Sequence, residues 1–154
     1  LRFANLTNVM IETTKTAEAD FEHAILRKAD LQYCDFKGAN FKNSDMSNAN
    51  LAQVNFSNAN LENANLYGAN LGFSNLSGTN LSDANLTNVF LAQDNFTGAI
   101  LTGCDLSDAV ILEPLKLDAT TILPDGSRWS SNRTLNEFGI EDRIIISPSL
   151  DDEV

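Results

Sequence analysis

Few side chains in this sequence are of types that do chemistry, and their spacing argues against joint action. His23 is the sole histidine, so a histidine-based triad or a zinc site lacks its partners. Cys34 and Cys104 are the two cysteines. No D-x-D-x-D-G calcium loop, glycine-rich phosphate loop or paired catalytic carboxylates occur. The sequence therefore predicts no catalytic residue, no metal ligand and no cofactor, and the protein is expected not to be an enzyme. The acid that stands out is Asp94. Leu91-Ala92-Gln93-Asp94-Asn95-Phe96 repeats Leu51-Ala52-Gln53-Val54-Asn55-Phe56 with a carboxylate in place of Val54. An inward, unpaired carboxylate costs several kcal/mol, so Asp94 must find donors, titrate upward or bulge outward.

These groups are positioned by a repeat. Every fifth residue from Phe21 to Ile111 is large and apolar, without a slip of phase. Two residues before each sits a small residue, as at Ala24, Ala29, Cys34, Ala39 and Ser44. One residue before is usually Asn or Asp, and the other two positions are variable and polar. A period of five fits neither a helix nor a flat strand. It suits a chain that turns a corner every five residues, closes a coil after four corners, and stacks coils at roughly 4.8 Å. Residues twenty apart then form columns, such as Phe21/Phe41/Leu61/Leu81/Leu101, and the aromatics fall mostly in two of them. Cys34 and Cys104 lie on opposite sides, roughly 17 Å apart along the axis, too far to bridge. Both are expected to be buried thiols, and His23 a solvated surface residue. The Asn-x-Ser/Thr sequences are by-products of the repeat rather than glycosylation sites.

The motif Ala-Asn-(Leu/Phe), as in Ala39-Asn40-Phe41, Ala49-Asn50-Leu51, Ala59-Asn60-Leu61, Ala64-Asn65-Leu66, Ala69-Asn70-Leu71 and Ala84-Asn85-Leu86, resembles that of pentapeptide-repeat proteins. The resemblance covers 19–113. It implies an all-β solenoid: a right-handed quadrilateral β-helix of about five coils with a C-terminal capping segment. Residues 1–18 continue the frame as Ala4-Asn5-Leu6 and Val9-Met10-Ile11, and are expected to form an imperfect first coil or an N-terminal cap. Residues 114–154 are expected to form a cap and an acidic tail. Pro124-Asp125-Gly126 signals a hairpin, Ser131 or Asn132 could start a short helix ended by Gly139, and Trp129, Leu135, Phe138 and Ile140 would cover the last coil. Ile144-Ile145-Ile146 could instead form a partner-binding strand.

Ten Lys and Arg against twenty-one Asp and Glu give a formal charge of −11. Such a surface argues against binding nucleic acid or an anionic membrane. No Lys or Arg occurs between Asn43 and Leu115, where seven acids lie. Some pentapeptide-repeat proteins are acidic DNA mimics that occupy type II topoisomerases such as gyrase, which is the alternative function the resemblance implies. The leading expectation is a non-catalytic protein-interaction scaffold, binding an unidentified protein or itself. Its working side would be that of Leu31, Leu51, Leu71, Leu91 and Ile111, whose outward residues carry no charge from Asn50 up to Glu113. Tyr33, Phe73, Phe90, Val110 and Leu112 are the candidate contacts there, with Phe73 and Phe90 as outward aromatic anchors. The sequence opens at Leu1 rather than at an initiator Met. Cytoplasm is the default location; periplasm or thylakoid lumen follow if a leader was removed.

Overall fold

The structure, a computed structural model, describes residues 1–131 except 12, 15, 113 and 114. The expected helix beyond Asn132, Leu135, Phe138, Ile140, the triple Ile segment and the acidic tail lie outside the described residues. The chain is a right-handed quadrilateral β-helix. Coils are 20 residues long, as the parallel bridges Asn5↔Ile25, Ile25↔Asp45, Asp45↔Asn65, Asn65↔Asn85 and Asn85↔Asp105 show. The four sides of each coil are named here, in chain order, by the columns of Phe21, Leu26, Leu31 and Phe36.

One pentapeptide explains why the motif works. Leu61 N–H donates to Asn80 C=O in the coil above at 2.7 Å, and Asn63 N–H to Ser82 C=O at 2.9 Å. Ala64 N–H closes a turn onto Leu61 C=O at 3.0 Å, and Asn65 N–H reaches down to Ser44 C=O at 2.9 Å. Only Glu62 N–H has no backbone acceptor. Asn60 Oδ1 takes it at 3.1 Å, the short-range side-chain bond at which Asn and Asp excel. The amide nitrogen of each Asn is then free to donate down the stack, as Asn85 does to Asn65 at 3.2 Å and Asn95 to Asn75 at 3.2 Å. Asn before the core residue is thus the answer to one otherwise orphaned N–H per turn.

The large side chains fill the square interior, and Phe21, Phe36, Phe41 and Phe56 form a four-ring cluster. Phe21 stacks on Phe41 at 4.5 Å with planes 1° apart, while Phe36 meets Phe41 edge-on at 5.0 Å. Like residues over like keep a constant cross-section filled. At the lower end Leu1, Phe3 and Met10 are exposed.

Stacking continues past Ile111, where the motif fades. Asn95 bridges Lys116 and Ile100 bridges Ile122, so the register slips by one residue and then by another. Thr121 and Leu123 are buried as extensions of the small and large columns. Ile122 then pairs antiparallel with Arg128, and Trp129 N–H donates to Thr121 C=O at 2.9 Å. The hairpin turns at Gly126, whose φ of +80° suits a residue without Cβ.

Candidate interaction face

The residue two after each core position has positive φ throughout the stack. A side chain there points away from the core, and the left-handed backbone favours Gly, Asn or Asp. Three sides comply in part: Asn43, Asn63, Asp83 and Gly103 on the first; Asn8, Asn48, Gly68, Asn88 and Asp108 on the second; Gly38, Asn58, Gly78 and Gly98 on the fourth. The Leu31 side does not. Its described column is Thr13, Tyr33, Gln53, Phe73 and Gln93, with no Gly, Asn or Asp. Tyr33 and Phe73 hold φ of 62° and 64°, where a bulky L-residue carries on the order of 1–2 kcal/mol of strain. Both rings face solvent, 54% and 56% exposed. Between them Gln53 donates from Nε2 to the Tyr33 hydroxyl at 3.4 Å. Below Tyr33 lies an open hollow of about 340 Å³ lined by Ile11, Thr13, Asp30 and Gln32.

Phe90 behaves differently from Phe73. It occupies the position of Asn70 and Asn50 in the ladder, pairing within strand β1 (Phe90–Leu91) to Val110 of β2 (Val110–Ile111). Its ring is half-buried over Gly72, so close that a Cβ on Gly72 would stand 3.0 Å from Phe90 Cε1. The expectation of two equally outward rings is therefore corrected: Phe73 projects, and Phe90 lies flat because Gly72 leaves room beneath it. Val110 and Leu112 are half-buried. Tyr67, 44% exposed on the neighbouring Leu26 side, is an exposed aromatic that lies outside the uncharged side.

Replacing Asn by Phe90 also removes the acceptor that Ala92 N–H would use. Elsewhere such a loss is harmless. Ile25 and Ile100 replace Asn too, but Arg27 and Thr102 are exposed and water can accept their N–H. Ala92 is buried. Asp94 supplies the missing acceptor: its Oδ2 takes Ala92 N–H at 2.7 Å, and its Oδ1 takes Ser74 N–H in the coil below at 2.6 Å. Asp94 is fully enclosed. It found donors and it titrates upward. Burial pushes its carboxyl up from 3.8 to about 7, while the two N–H bonds pull it back. The corner is reshaped as well: Leu91 C=O accepts Leu112 N–H at 3.1 Å.

The remaining candidates are quiet. Cys34 and Cys104 are buried free thiols, and burial pushes Cys104 up to about 12. His23 stacks on Phe3 at 5.0 Å. Among the described residues no cluster of His, Cys, Asp or Glu could hold a metal ion. No helix there is long and apolar enough to cross a membrane.

Comparison with known proteins agrees with this geometry. The family model for pentapeptide repeats matches residues 1–43, 44–83 and 74–111. The chain belongs to the pentapeptide repeat family. Among solved structures it is similar to a pentapeptide repeat protein of the Arabidopsis thaliana thylakoid lumen, with TM-score 0.63 and 27% identity over 64% of this chain and 68% of that one. It is also similar to Rfr23 of the cyanobacterium Cyanothece 51142, with TM-score 0.53 and 28% identity over 78% of this chain and 88% of that one. QnrB1, a plasmid-mediated fluoroquinolone resistance protein, aligns at TM-score 0.42 and 18% identity over 82% of this chain and 89% of that one. No curated protein is similar in sequence at a significant level.

Proposed function

We propose that the protein is a non-catalytic interaction scaffold that engages a protein partner, or a second copy of itself, through the Leu31 side, with Tyr33 and Phe73 as anchors and Phe90, Val110 and Leu112 as flanking apolar surface. The observation that carries this reading is the strained column. Tyr33 and Phe73 keep a left-handed backbone that Asn or Gly would hold with less strain, and strain of this kind points from structure to function. Exposed rings among Ala52, Gly72 and uncharged Gln53 and Gln93 have the make-up of an interface centre. A photo-crosslinking residue at Phe73, compared with one at Asn63 on the opposite, Phe21 side, tests this. Capture of one defined protein, or of a second copy, at 73 alone supports the reading; equal labelling at both positions contradicts it. Tyr33→Asn with Phe73→Asn should weaken the captured interaction by more than about 1 kcal/mol per ring while leaving the coils folded.

The alternative is mimicry of DNA toward a type II topoisomerase, suggested by the stretch 43–115 without a basic residue. Its acids are fewer at the surface than the sequence suggests. Asp94 is interior, Asp45 is paired with Arg27 and Glu62 with Lys42. A gyrase supercoiling assay decides this reading: stoichiometric inhibition or protection supports it, and unchanged supercoiling at excess protein removes it.

A further inference from the structure

We propose that the corner from Phe90 to Asn95 is a pH-responsive latch on the C-terminal coil: ionisation of Asp94 loosens residues 101–129 from the stack, and protonation seats them. Two demands conflict at this corner. Hydrogen bonding favours the carboxylate, because both of its oxygens accept backbone N–H groups at 2.6 and 2.7 Å and short, charge-assisted bonds suit an anion. Enclosure favours the neutral acid, since a buried charge without a counter-ion is expensive.

No described side chain supplies that counter-ion. From the coil below, the group facing Asp94 is Ser74, whose hydroxyl is already committed to Leu51 C=O at 2.8 Å. From its own coil it is the Ala92 N–H. From the coil above, Lys116 approaches through its backbone, its N–H bonding Asp94 C=O at 2.9 Å, while the residue is exposed. Glu113 lies outside the described residues. Burial and the two N–H bonds are the influences that act on the Asp94 carboxyl.

The coil above packs Leu115 and Leu117 against the core, and its register against the coil of Asp94 is not constant. Its register slips at Asn95↔Lys116 and again at Ile100↔Ile122. In a solenoid each coil contacts its neighbours only. An ionised Asp94 can therefore be relieved by opening the last coil, with coils beneath Ser74 left in place. Val110 and Leu112 travel with that coil, so the upper end of the Leu31 side opens with it.

Hydrogen exchange of the full chain, corrected for the intrinsic pH dependence of amide chemistry, reads this directly. Opening of 101–123 should rise up to about 80-fold between pH 5 and pH 8, which is the linkage expected for a carboxyl that moves from about 7 when seated to 3.8 when open. Peptides from 41–70 should not follow. Asp94→Asn should flatten the dependence. The double variant Phe90→Asn with Asp94→Val, which reproduces the sequence Asn50–Phe56 of a regular corner, should flatten it too and guards against failure of the single variant to fold. A wild type as flat as the variants, variants that keep the dependence, or equal loosening of 41–70 would each overturn the proposal.

Discussion

The corners at 50–56 and 90–96 differ by two residues, Asn50 against Phe90 and Val54 against Asp94, and the pair of differences makes chemical sense only together. In the lower corner Asn50 Oδ1 accepts Ala52 N–H at 3.4 Å, and Val54 packs inward as a small apolar residue. In the upper corner the acceptor has moved from before the turn to after it. Phe90 gives up the bond and lays its ring over Gly72, and Asp94 takes the bond from inside. A repeat protein can thus change what it displays on a side if the orphaned N–H is answered elsewhere. The cost is a carboxyl in the core.

Transplanting one half of the exchange should have the largest effect. Val54→Asp places an acid where Asn50 already serves Ala52, so the carboxylate gains no needed bond; a loss of about 3–5 kcal/mol at pH 8 is expected from denaturant unfolding, smaller at pH 5. Next comes the pH dependence of the wild type. The folded Asp94 value is raised from 3.8 to about 7, so the folded chain holds this proton more tightly than the unfolded one. Stability from this group is therefore full below about pH 4, falls as pH rises to about 7 and is flat beyond, a span of about 4 kcal/mol at most. Asp45, Asp105 and Asp118 are held low, with hydrogen bonds the lowering influence, and act in the opposite sense below pH 4. Asp94→Asn should remove the decline between pH 4 and 7 and leave the acid limb.

Smaller effects sharpen the picture on the Leu31 side. Gly72→Ala should cost about 1 kcal/mol by lifting the Phe90 ring, whereas Ala52→Gly below it should cost less than about 1 kcal/mol. Phe73→Asn should raise stability by about 1 kcal/mol by relieving the left-handed backbone. A thermal melt checks each, and a loss on Phe73→Asn would mean that the ring is packed rather than displayed.

The stack was readable in the sequence because the period of five is unbroken from Phe21 to Ile111, and columns of like residues follow from it. Asp94 was readable as an anomaly, since its corner repeats Leu51–Phe56 with one change. Its resolution was not readable. It depends on Ala92 being closed off from water, whereas Arg27 and Thr102 at the equivalent position are exposed. The same holds for Phe90, which an outward position in the repeat assigns to solvent. Only the missing Cβ of Gly72, one coil away, lets the ring lie down. Tyr33 and Phe73 were recognisable as outward, but their left-handed backbone becomes visible only once each turn has its geometry.

A double-mutant cycle on Phe90→Asn and Asp94→Val, measured by denaturant unfolding at pH 8, tests the exchange most directly. If Asp94 answers the N–H that Phe90 orphans, Asp94→Val alone leaves Ala92 unpaired, while the double variant restores the regular corner. A favourable coupling of about 1–3 kcal/mol is then expected. Strict additivity of the two substitutions would show that the acid and the ring are unrelated, and would contradict the account.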